Sequence, residues 1–181
     1  MHDGQNLFDP AGPFGSWRVD QAMLRVMAAG EVPPAIIVGV WNTPARFAEY
    51  MPQQATSDAV LAKILTQFRQ PAARLQSDAY LKFLVEEVKP FIDRTYRTQP
   101  DRAHTSVMGS SMGSHRFYFD FGTATLDATY EPFQQRMDAV MRAAGYAEGK
   151  LWQTKKFEGA EHNETAWRAR VHLPLKFLLA P

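Results

Sequence analysis

Apolar residues recur along this chain in two rhythms, the three-to-four spacing of amphipathic helices and the alternation or short unbroken runs of strands. Val19, Met23, Val26 and Met27 share one helical face, with Ser16 placed to cap the helix and Gly30 to stop it. Pro33-Pro34 then interrupts, and Ala35 to Val40 is an almost wholly apolar run of the sort buried on both faces of a parallel sheet. Residues 43–76, rich in Pro, Gln and Ala, read as a long surface connection holding a short helix around Val60 to Phe68. From Ser77-Asp78 a strong amphipathic helix begins, with Tyr80, Leu84, Val88 and Phe91 on one face and Pro90 predicting a kink or division. A strand is expected after Pro100-Asp101-Arg102, and a second one in the alternating aromatics of Arg116 to Phe121. Tyr130 to Ala144 predicts a helix with Phe133, Met137, Val140, Met141 and Ala144 on one face, stopped by Gly145. Lys150 to Phe157 reads as a strand, Glu158 to Asn163 as a loop and Glu164 to Leu179 as a closing helix kinked at Pro174.

Strands alternating with helices predict an α/β fold: a mostly parallel central sheet flanked by helices, whose ligands bind at the carboxyl ends of the strands. No repeat divides the chain, and 181 residues suit a single α/β domain over 1–181. Composition narrows the function. With 45% hydrophobic and 22% charged residues and a net charge of +1, the chain has no basic face for nucleic acid, so its expected partner is a small molecule. It contains no cysteine, which excludes disulfides, thiolate metal sites and cysteine nucleophiles. The longest apolar stretch, Pro33 to Val40, is too short to span a bilayer, so no membrane role is expected. The first residues show no signal-peptide pattern, and any such segment would precede Met1, so a cytoplasmic and a periplasmic or secreted location are both open. Nothing in the sequence indicates an oligomeric state.

The chemistry gathers at the predicted strand ends. Gly109-Ser-Ser-Met-Gly113 is a G-x-S-x-G turn, which presents its central serine, Ser111, after a strand. A serine hydroxyl needs a base to take its proton and a third group to orient that base, and sheet-based hydrolases supply them in the order serine, acid, histidine. Ser111, Asp127 and His162 follow that order. His162 lies in the loop between the last strand and the last helix, unlike His104, His115 and His172. Asp120 is the alternative acid, but it alternates with Phe119 and Phe121 inside the strand, so Asp127 in the following loop is preferred. Asp127 could also merely cap the next helix. The backbone N–H of Met112 would face a developing oxyanion, with a second donor expected from Gly4 or Gln5. Trp41 and Arg46 are candidate pocket residues, although packing and a surface pair explain them as well. His2, Asp3 and His162 lack metal-ligand spacing, so no metal is expected.

Several stretches together resemble the putative esterase family of α/β-hydrolases, which includes esterase D, enterochelin esterases and feruloyl and acetylxylan esterases. They are His-Asp-Gly-Gln-Asn-Leu-Phe at 2–8, Val-Gly-Val-Trp-Asn at 38–42, and Arg46 with Glu49-Tyr-Met-Pro52. Val-Lys-Pro-Phe-Ile-Asp at 88–93, Gly109-Ser-Ser-Met-Gly113 and Glu161-His-Asn-Glu164 complete the set. The resemblance implies a serine hydrolase of carboxylic esters without metal or organic cofactor, with Ser111 as nucleophile, His162 as base and Asp127 as acid. It also implies strands before His2, and a helix and another strand between the serine turn and the strand that carries the acid. A strand-helix-strand unit takes roughly 30 residues, and a minimal parallel crossover about a dozen. Gly109 to His115 supplies seven. Residues missing near Ser114, a true deletion or a rearranged fold would each account for this, and the first two are preferred because loss of the central helix would bare the sheet beneath it. The expected function is therefore an acyl-enzyme esterase. The alternative is a non-catalytic or truncated module acting in binding or as a scaffold.

Overall fold

The computed structural model describes residues 1–9, 15–51, 53, 57–71, 73–101, 104–109 and 117–179, and every structural statement below concerns these. In chain order the elements are α1 (Val19–Ala28), α2 (Arg46–Tyr50), α3 (Asp58–Gln67), α4 (Ser77–Lys82), α5 (Lys89–Thr95), β1 (Phe117–Gly122), α6 (Glu131–Ala143), β2 (Trp152–Phe157), α7 (Glu164–Arg170) and α8 (His172–Leu179). They group into two compact units, Met1–Trp41 with Ser106–Pro181, and Asn42–Thr105.

In the first unit, β1 and β2 pair in parallel from Phe117↔Trp152 to Gly122↔Phe157, with α6 as the crossover between them. The aromatic run suits a strand because its side chains are at least partly covered throughout, and Phe121 and Trp152 are buried. The two earlier runs differ from expectation. Neither Ala35 to Val40 nor the residues before Gly109 form an assigned strand. Instead the Met1 amino group donates to Val38 O at 2.6 Å, Val40 N to Met1 O at 2.9 Å and Gly4 N to Val40 O at 2.8 Å. On the other side His2 N donates to Met108 O at 2.9 Å. The paired length is only a few residues, so Ile36 stays half exposed at 50% while Ile37 to Val40 are partly covered. A run that is apolar throughout is thus buried only where a neighbour spans it.

The core of this unit comprises Leu7, Trp17, Val19, Ala22, Met23, Val26, Val32, Val171 and Leu175. The face read for α1 is the one buried, but Ser16 does not cap it directly. Arg18, in the left-handed region at φ 49°, occupies the cap position, and Ser16 Oγ accepts from Arg18 N at 3.0 Å. The closing helix divides into α7 and α8 at Val171, three residues before Pro174. Proline clashes with the carbonyl four residues earlier, here that of Arg170, so the strain is relieved upstream of the ring itself.

Helix α6 forms where periodicity places it, but of the face read for it only Met141 is buried. Phe133, Met137 and Val140 are exposed at 62%, 42% and 59%, while Gln134 and Met141 are buried. Hydrogen bonds set this phase. Gln134 Nε2 donates to Asp138 Oδ1 at 2.8 Å and to Thr154 Oγ1 at 3.1 Å, and Thr154 Oγ1 donates to Asp138 Oδ1 at 2.7 Å. A satisfied polar network on the strand side holds the helix with its apolar stripe outward.

In the second unit, Ser57 caps α3 by accepting from Val60 N at 3.3 Å, and Leu61 and Leu65 pack with Ala48. The helix expected from Ser77 is α4 and α5 joined by a π-helical segment, Phe83–Val88. Pro90 lies just past that segment, where a wider turn removes the clash that an α-helical carbonyl would make with its ring. The helix is thus divided, one of the two outcomes expected of Pro90. Tyr80, Leu84 and Val88 are half-buried, whereas Phe91 is 56% exposed. Leu61 is wholly buried, so Leu61→Ala is expected to lower the unfolding free energy by about 3 kcal/mol. Val60→Ala, beside it at 46% exposure, should change it by less than about 0.5 kcal/mol. Urea titration of the two variants checks both values.

Candidate active site

Parallel pairing brings the ends of β1 and β2 side by side, and the loops leaving them are tied together by backbone. Ala160 O, in the loop after β2, accepts from both Thr123 N and Ala124 N at 3.1 Å, just past β1. Gly159 N donates to Thr123 Oγ1 at 2.7 Å. Gly122 closes β1 where a Cβ would overlap the Ala160 carbonyl, so glycine is required by close approach of the two chains. Thr125 then turns left-handed at φ 54° and starts the 3-10 turn Thr125–Thr129, which carries Asp127.

This local geometry joins two of the predicted residues. His162 Nδ1 lies 2.8 Å from Asp127 Oδ1, and Asp127 Oδ2 accepts from Gly122 N at 2.7 Å. An ionised carboxylate only accepts, so this contact assigns the proton to Nδ1 and leaves Nε2 as the basic nitrogen. The His162 main-chain N–H donates to Thr125 Oγ1 at 3.0 Å. Asp127 is 5% exposed, while the His162 side chain is 41% exposed, so the carboxylate is held inside and the imidazole faces out. Trp167 meets the imidazole at 4.9 Å between ring centres, with the rings at 82°.

Asp120 is engaged elsewhere. Arg170 Nε donates to its Oδ1 at 3.0 Å, Nη2 stands 2.9 Å from the same oxygen, and the guanidinium lies 4.7 Å from the Phe157 ring centre. Burial pushes the Asp120 carboxyl above the ordinary carboxylate range, against the opposing pull of Arg170. Burial also raises Tyr118 and Tyr130, reinforced by the charge of Asp120 in the first and Asp127 in the second, so both phenols stay protonated at neutral pH.

A cleft of about 240 Å³ runs along these residues. His162, Asp127, Trp167 and Tyr118 line it, and so do Val107 to Gly109, the approach to the serine motif. Ser111 and Met112 lie outside the described residues, as does the junction at Ser114. Gly109 is described: a Cβ there would strike the His2 imidazole, so the approach to the motif packs tightly on the His2-Asp3-Gly4 segment. Asp3 is buried and left-handed at φ 54°, and a Cβ on Gly4 would collide with the backbone of Gly39 and Val40. The Gly4 N–H is committed to Val40 O at 2.8 Å.

Trp41 is 73% exposed and does not line the cleft. Arg46 belongs to the other unit, where its guanidinium lies 4.9 Å from the Tyr50 ring centre and 6.0 Å from that of Phe47. Among the described residues no group of three or more His, Asp or Glu side chains could hold a metal. No helix is long and apolar enough to cross a membrane. His104 Nδ1 sits 2.8 Å from exposed Asp101, and burial together with Lys176 and Arg25 lowers the pKa of His172, so neither joins the cleft chemistry.

Sequence reasoning missed Thr125, Ala160 and Trp167. The signal for Trp167 was its place five residues after His162, just over one helical turn into α7. Gly122→Ala, which forces the two loops apart, is expected to cost about 1–3 kcal/mol in stability, read as a lowered melting temperature.

No curated protein and no solved structure matches the chain. One family model does, described as Putative esterase, over residues 1–117 of the 181, a span that includes the whole Gly109 to Gly113 motif and stops short of Asp127 and His162. With helices around a parallel strand pair and a match over more than half its length, the chain belongs to the Putative esterase family, esterase-like hydrolases of α/β-hydrolase type.

Proposed function

We propose that this protein hydrolyses carboxylic esters through an acyl-enzyme, with Ser111 as nucleophile, His162 as general base and then acid, and Asp127 as the residue that orients His162. The observation that carries the proposal is the 2.8 Å Asp127 to His162 contact at the ends of two paired strands. Its cleft also receives the residues leading directly to the G-x-S-x-G motif.

The steps follow from these roles. Nε2 of His162 takes the Ser111 hydroxyl proton as Oγ attacks the ester carbonyl, forming a tetrahedral oxyanion. Backbone N–H groups, with Met112 and Gln5 as candidates, stabilise that charge. The intermediate collapses with cleavage of the C–O bond, and His162 passes its proton to the departing alcohol. Water then gives up a proton to His162 and attacks the acyl-enzyme, releasing the acid and restoring Ser111. Asp127 stays ionised throughout and favours the imidazolium that forms twice per turnover. Its burial and its bond from Gly122 N keep it in one orientation while His162 reaches outward.

The substrate is a small-molecule ester, and the mechanism asks nothing of a metal or organic cofactor. The aromatic lining suits an apolar acyl or alcohol group.

Hydrolysis of a short-chain aryl ester tests the proposal. Ser111→Ala should reduce kcat by a factor on the order of 10⁶, and a rate equal to wild type would overturn the assignment. Asp127→Asn should lower kcat by about 10⁴ with the fold retained, since the amide leaves His162 without its orienting charge. Asp120→Asn should separate the two acids. It leaves the buried Arg170 without a counter-charge and costs about 3–5 kcal/mol of stability, while the protein that remains folded loses far less turnover than the factor of about 10⁴ expected for Asp127→Asn. Thermal melts beside the kinetics distinguish these outcomes.

A further inference from the structure

His162 is a partly exposed side chain on a loop. Among the described residues one hydrogen bond, Nδ1 to Asp127, defines its ring position, and a second, from its main chain to Thr125, anchors only the backbone. An imidazole held by one nitrogen can still swing about that bond, carrying Nε2 away from a nucleophile. We propose that Trp167 is a positioning residue whose indole holds the imidazole against this swing, fixing the direction in which Nε2 presents itself. The inference rests on the esterase reading above.

The geometry supports a wall rather than an incidental neighbour. The indole and imidazole are close to perpendicular, at 82° and 4.9 Å between centres, the edge-to-face arrangement that aromatic rings favour. Trp167 is itself backed. Its ring lies 5.3 Å from that of Trp17, which is buried in the core with Leu7 and Val19. The helix that bears Trp167 is fastened at both ends, by Asn163 Oδ1 accepting from Ala166 N at 2.9 Å and by Arg170 on Asp120 of β1. The imidazole is therefore gripped from two directions, the carboxylate reached through β1 and the indole reached through α7.

Trp167 also lines the cleft, so it could instead act only on substrate binding. A positioning role moves kcat, whereas a binding role moves KM alone. Trp167→Met keeps apolar volume without a ring, and Trp167→Phe restores one. On a short-chain aryl ester, Trp167→Met is expected to lower kcat by a factor on the order of 10 to 100 with little change in KM, and Trp167→Phe to recover most of the loss. Proton NMR of the whole protein supplies the second readout. The downfield His162 Nδ1–H resonance should persist in wild type and Trp167→Phe and broaden into solvent exchange in Trp167→Met. Unchanged kcat with an unchanged resonance in Trp167→Met would overturn the inference, and so would a change confined to KM. Should Trp167→Met not fold, wild type still decides. Cross-relaxation between the His162 ring and the Trp167 indole supports the inference, and its absence overturns it. Ser111→Ala run alongside keeps the two ideas apart. If it retains full activity the esterase reading fails, while the NMR comparison still reports whether Trp167 restrains the ring.

Discussion

The close crossing of Gly122 over Ala160 is the constraint on which the site depends. Two parallel strands end together, and the carbonyl that follows the second collects two N–H groups from the turn that follows the first. Only a residue without a side chain permits that approach. Once the loops are joined there, Asp127 and His162, 35 residues apart in sequence, have little freedom left to miss one another.

The two acids on this loop system show how environment divides similar groups. Asp120 and Asp127 are both well buried, but one faces a guanidinium and the other an imidazole. The Arg170 pair ties α7 to β1 and is a structural charge pair, expensive to bury and more expensive to break. The Asp127 pair has its second oxygen occupied by Gly122 N and its first by the imidazole of His162, which lines the cleft. Position in the strand separates them, since Asp120 points across the sheet toward the closing helix while Asp127 rides the 3-10 turn beyond it.

Where the elements departed from their sequence reading, polar contacts or the extent of neighbouring backbone were responsible. Periodicity located α6 but misjudged its buried face, because Gln134, Asp138 and Thr154 satisfy one another on the strand side. Ala35 to Val40 is as apolar as a central strand, yet strand character requires a partner along its length, and pairing reaches only its last residues. Pro90 and Pro174 were legible as disturbances. A π-helical segment and a helix break upstream of each ring absorb them, because the clash lies with the preceding turn.

Local pattern by itself located α1, α3, α6 and the helical stretches from Ser77 and Glu164, though not α2, together with the aromatic strand and its partner, and the ordered appearance of Ser111, Asp127 and His162 that, with the neighbouring motifs, pointed to an esterase. These are legible because periodicity, capping and turn chemistry act over a few residues. Tertiary structure decided which aspartate meets the histidine, that the Gly4 N–H is spent on Val40, and that Trp17 lies behind Trp167. Those outcomes depend on register, on the depth to which each strand is paired and on contacts between residues far apart in sequence, and no local spacing encodes them.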